Sequence, residues 1–76
     1  MKPADRKHGT LHAVRMETSL AHSAAVADRL EALGIAMVLT EYADRQKAVF
    51  EEYFDTSRAA VERRHQLSNI LRAMPL

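Results

Sequence analysis

Apolar side chains recur at steps of three and four along the first half of this 76-residue chain. Met16, Leu20, Ser23, Val26 with Ala27, Leu30, Leu33 and Met37 follow one another in this way, the spacing that gathers one face of an α-helix. The pattern predicts a first helix whose N-cap is Thr10 or the Thr18-Ser19 pair, each a side-chain oxygen able to accept a backbone N–H from the first turn. Gly34 stands where that helix ends, because glycine enters the left-handed region without a Cβ penalty. A second run, Ile35, Val38 with Leu39, Tyr42, Val49 with Phe50 and Tyr53 with Phe54, predicts a second helix with a polar gap at Asp44-Arg45-Gln46. Glu41 to Arg45 and Lys47 to Glu51 are i,i+4 charge pairs on its outer face. Asp55-Thr56-Ser57 then offers three cap residues in succession. A third helix carrying Val61, Leu67, Ile70, Leu71 and Met74 starts there, or the second continues unbroken from 35 to 73. Two architectures follow, a three-helix unit and a helical hairpin.

Composition strengthens the all-α expectation, since two glycines and two prolines leave few turn residues to join strands. Residues 1–9 have almost no large side chain to bury and read as a mobile basic arm; residues 10–76 read as a single helical domain. There is no cysteine, which removes disulfides, thiolate zinc sites and cysteine nucleophiles. A chain this short, with only four aromatic rings (Tyr42, Phe50, Tyr53, Phe54) and no covalent staple, is expected to complete its core in a bundle, as a homodimer or against a partner. The longest apolar run, residues 35–39, falls far short of the ~20 residues of a membrane span. Polar residues interrupt the stretch after Lys2, Arg6 and Lys7 where a leader's apolar region would stand, so the expected address is the cytoplasm and no membrane partner is expected.

Net charge is +1, distributed as +3 over residues 1–15, −5 over 16–55 and +3 over 56–76. Basic ends around an acidic middle suit antiparallel self-docking more than a uniformly positive surface for phosphate. Nucleic-acid binding is the main alternative function, carried by Arg58, Arg63, Arg64 and Arg72 of the last helix with the basic arm. Arg63 and Arg64, however, point away from the face shared by Arg58 and Arg72 at about 100° per residue. A lesser alternative is a metal site. Glu62-Arg63-Arg64-His65 resembles the E-x-x-H pair of ferritin-like carboxylate bundles, in which Glu62 and His65 would be ligands. One such pair makes no site by itself, so a second copy, with Glu31 or Glu52 bridging, would have to complete it. His8 and His12 flank Gly9, and His22 has no partner on its face. Serines 19, 23, 57 and 68 fall on helical patterns or caps rather than in a nucleophile elbow, and no glycine-rich phosphate loop is present.

The remaining feature is the cluster Val49, Phe50, Tyr53 and Phe54, which concentrates most of the ring surface within six positions. On a helix these four are neighbours and form an anchor for a partner. Truncating Phe50 or Phe54 is then expected to dissociate an assembly before it loosens the fold. The expected function is a small, non-catalytic helical protein acting by protein–protein interaction, as subunit, adaptor, chaperone or inhibitor, with no cofactor.

Overall fold

From His12 to Ser19, buried or half-buried side chains (His12, Val14, Met16, Thr18) alternate with exposed ones (Ala13, Arg15, Glu17, Ser19). Period two belongs to a strand with one covered face. In the computed structural model, which describes residues 11–75, this segment is strand β1 (His12–Ser19). Helix α1 (Leu20–Ala32), strand β2 (Val38–Tyr42), a 3-10 turn (Ala43–Arg45), strand β3 (Lys47–Phe54) and helix α2 (Ser57–Ala73) follow it. β3 is the middle strand of a three-stranded antiparallel sheet of order β1-β3-β2. β1 and β2 therefore run parallel on either side of it, a split β-α-β arrangement. The ladder sets His12 opposite Phe54 through Ser19 opposite Lys47, and Val38 opposite Glu51 through Tyr42 opposite Lys47.

The protein is therefore not all-α, and neither the three-helix unit, the hairpin nor the helical bundle describes it. The expected second helix is a β-hairpin, and β1 precedes the first helix. The hydrophobic steps misled for physical reasons. Met16 to Leu20 spans the strand–helix junction, so its i,i+4 spacing joins two elements. In β3, Ala48, Val49 and Phe50 are all buried. An inner strand flanked by a strand on each edge buries a residue on the open face too, here Val49 between Glu17 and Thr40, and so loses the alternation that would betray it. The scarcity of glycine also concealed the turn, because Gln46 takes the left-handed conformation at φ 55°. Its backbone N–H and its side-chain Nε2 both donate to the Ala43 carbonyl, at 3.3 and 2.9 Å, while its own carbonyl accepts from Leu20 N at 3.0 Å. These bonds offset the cost of a positive φ at a residue with a Cβ.

Both helices lie on the same side of the sheet. α1 buries Ser23, Val26 and Leu30, α2 buries Ala60 and Leu67, and these meet Val14, Met16, Ala48 and Phe50 of the strands. Ile35 closes the core beyond α1, with Phe54, Ile70, Leu71 and Met74 packed around it. The end of α1 is a Schellman motif: Gly34 N donates to Glu31 O at 3.0 Å, Ile35 N to Leu30 O at 2.9 Å, and Gly34 has φ +73°. α2 begins where the cap residues cluster, with Ala59 N donating to Thr56 Oγ1 at 3.1 Å. Ser19 is the N-cap position of α1, although its hydroxyl makes no cap bond. The basic arm and Thr10 lie outside the described residues.

Candidate functional site

Pairing register divides the strand residues between two faces. Val14, Met16, Ala48, Phe50, Glu52, Phe54 and Leu39 point toward the helices. Arg15, Glu17, Lys47, Val49, Glu51, Tyr53, Val38, Thr40 and Tyr42 point to the face that no helix among the described residues covers. At the centre of the helix-free face two basic and two acidic side chains interleave, with Glu17 3.8 Å from Arg15 and 3.7 Å from Lys47. Its formal charge is zero, so it lacks the excess positive potential that phosphate backbones demand.

On the helix side the covering is incomplete beside β2. A groove of 480 Å³ runs between α1 and the segment that leads into β2, lined by Leu30, Ile35, Met37, Leu39 and Phe50, with Glu31 its one charged lining residue. Geometry explains its place. The two helices pack mainly over β1 and β3, and β2 is an edge strand of five residues at the far margin. Val38 and Leu39 on it are 66% and 37% exposed.

The four residues expected to anchor a partner do not form one patch. Phe50 is 1% exposed and buried in the core, although it also floors the groove; Phe54 is half-buried against the same core; Val49 is buried beneath the helix-free face. Tyr53, 56% exposed, alone stands outward. Consecutive strand residues face opposite ways, so side chains that a helix would bring together are here separated by the thickness of the sheet.

The four arginines expected to meet nucleic acid are dispersed too. Arg63 is held by Glu52, with Nε donating to Oε1 at 2.9 Å and Nη2 to Oε2 at 3.4 Å, and both side chains are 18% exposed. Its guanidinium also lies 5.6 Å from the centre of the Phe54 ring. Arg64 reaches round the sheet edge to donate to the Ala13 carbonyl at 3.1 Å, and Arg72 donates to Asn69 Oδ1 at 2.6 Å. Arg58 is exposed in the first turn of α2. Glu62 and His65 are exposed on α2. Among the described residues no group of three or more His, Cys, Asp or Glu is gathered as metal ligands. No helix among them is long and apolar enough to cross a membrane.

The groove is hidden in the sequence because Met37 and Leu39, which line it, also fit helical stripes. The run of three large apolar residues ahead of Thr40 and Glu41 was the available signal of a strand margin. Comparison with known proteins returns no match: no family model, no curated relative and no solved structure aligns with this chain.

Proposed function

We propose that the chain is a non-catalytic protein-interaction module that holds an apolar segment of a larger protein in the groove between α1 and β2. The observation that carries this reading is the groove's composition, a 480 Å³ recess lined by aliphatic and aromatic side chains with a single acid, Glu31, on its wall. Exposed edge strands are ordinarily blunted by charge or by a covering element, whereas β2 turns Leu39, 37% exposed, toward the groove beside the half-buried Met37. Contiguous exposed apolar surface of this kind marks a contact that is made with another chain. Leu30, Ile35, Met37 and Leu39 suit alternate or i,i+4 apolar side chains of the occupant, and Glu31 suits a basic residue beside them. A cytoplasmic address belongs to the same proposal, because small secreted domains with modest cores rely on disulfides and this chain contains no cysteine.

The test is paired co-purification from the native host with wild-type and Leu39→Lys baits, after circular dichroism has established that both are folded. A partner retained by wild type and lost from Leu39→Lys supports the groove as the contact. A partner bound equally by both removes it.

A further inference from the structure

The opposite margin of the sheet carries a second and independent feature. β1 is an edge strand of eight residues, and the phase of its ladder follows from one bond. Leu20 N donates to Gln46 O at 3.0 Å, and this pair continues the β1–β3 register. Hydrogen-bonded pairs alternate with non-bonded ones along an antiparallel ladder, so the even-numbered residues of β1 bond to β3. The odd-numbered ones, Ala13, Arg15 and Glu17, aim both their N–H and C=O groups outward, while Ser19, whose carbonyl opens α1 as its N-cap, aims only its N–H. The bond from Arg64 to the Ala13 carbonyl fits this phase. Thr18 Oγ1 donates to the Ser19 carbonyl at 3.0 Å, and among the described residues the middle of the edge, at Arg15 and Glu17, is open.

We infer that β1 pairs antiparallel with β1 of a second copy of this chain, about a two-fold axis at Met16, joining the two sheets into one of six strands. Only registers that set odd residues opposite odd ones bring the outward groups into phase. Setting Arg15 opposite itself, or Glu17 opposite itself, places like charges across the axis, which is unfavourable for directly opposed pairs. The register between these two sets Arg15 of each copy opposite Glu17 of the other, so both charge contacts become attractive together. Arg15 and Glu17, 55% and 51% exposed, lie on the helix-free face, and Met16 meets its counterpart on the helix side. The N–H and C=O groups of Arg15 and Glu17 supply four hydrogen bonds between copies. Such an interface is isologous and closed, leaving only the two β2 margins as edges. Arg64, whose side chain is exposed, yields the Ala13 carbonyl to Ser19 N–H of the second copy.

Sedimentation of the full chain and of charge-exchanged variants tests the inference. Wild type is expected to dimerise, while Arg15→Glu alone and Glu17→Arg alone each weaken self-association roughly tenfold or more by setting like charges opposite one another twice. Mixing the two single variants restores dimer, because each then presents the charge that the other lacks; the Arg15→Glu/Glu17→Arg double variant restores it in a single chain. Amide exchange reports the register, with the Arg15 and Glu17 N–H groups protected in the dimer and exchanging freely on dilution. A wild type that stays monomeric at the highest concentration it tolerates overturns the inference, as does a dimer indifferent to the exchanges. A monomer with those two amides protected also overturns it, by showing that the edge is already occupied within a single chain. Leu39→Lys leaves this dimer unchanged, so failure here is separable from failure of the groove.

Discussion

The two faces of the sheet hold residues of similar kind to opposite ends. Phe50 and Tyr53 stand three positions apart on the same strand, yet the first is sealed between sheet and helices and the second projects from the helix-free face. The covered face joins Val14, Met16, Ala48 and Phe50 to the apolar stripes of both helices. The free face balances its charges across neighbouring strands and buries Val49 without any helix, flanked by Glu17 on one side and Thr40 on the other. Aromatic character thus does not report which residues hold the fold. Position parity along β3 does, and truncation should separate the two faces sharply.

The largest effect is expected from Phe50→Ala. Removing a fully buried ring costs about 3–5 kcal/mol, a large part of the 5–15 kcal/mol that native domains possess. Urea titration should show the midpoint falling steeply or the transition vanishing, whatever the oligomeric state. The expectation that truncating Phe50 would first dissociate an assembly is thereby replaced by loss of the fold. A Phe50→Ala chain with near wild-type stability would mean that the covered face is not the core.

Some elements were legible in the sequence and others were not, and the division follows how far each depends on distant partners. The end of α1 was legible through local chemistry, since Gly34 supplies the positive φ that closes the Schellman motif, and the start of α2 was one of two readings open at Asp55-Thr56-Ser57, where Thr56 supplies an oxygen to Ala59 N. Neither signal depends on what the helix packs against. Strand identity depends on partners distant in sequence. Arg15 and Glu17 alternate with Val14 and Met16 in a pattern that was present, but Met16 also fits a helical step to Leu20. Glu52, an acid on the covered face, broke the apolar parity of β3, and its compensation by Arg63 comes from eleven residues away. The candidate groove was illegible for the same reason, since α1, the loop after it, β2 and β3 each contribute to its lining.

Glu52 provides the intermediate effect. Its carboxylate lies on the covered face at 18% exposure and is held by two bonds from Arg63, so replacing Arg63 by Met leaves an acid deprived of its partner. Hydrogen bonds to charged groups contribute about 1.5–3 kcal/mol, and a loss in that range is expected from Arg63→Met alone. The Arg63→Met/Glu52→Leu double variant should recover most of it, because exchanging a largely buried ion pair for apolar side chains is often neutral. Denaturant midpoints of wild type, both single variants and the double variant give the coupling directly. Additive losses in that cycle would show that the pair does not join α2 to the sheet.

Tyr53→Ala should have the smallest effect and makes the contrast between faces quantitative. The ring is 56% exposed and its cross-strand neighbour on β1 is Ala13, so little contact is lost; surface substitutions usually fall within about 0.5 kcal/mol. Alanine is a weaker strand former than tyrosine, and cross-strand pairs contribute roughly 0.2–1 kcal/mol, so any change should be a small destabilisation. The measurement is the difference in unfolding free energy between Tyr53→Ala and Phe50→Ala under the same conditions. A gap of several kcal/mol follows if parity along β3 decides which ring supports the fold. If the two truncations cost alike, the helix-free face must itself be covered in solution, and Tyr53 then joins Val38 as part of a buried contact rather than an open surface.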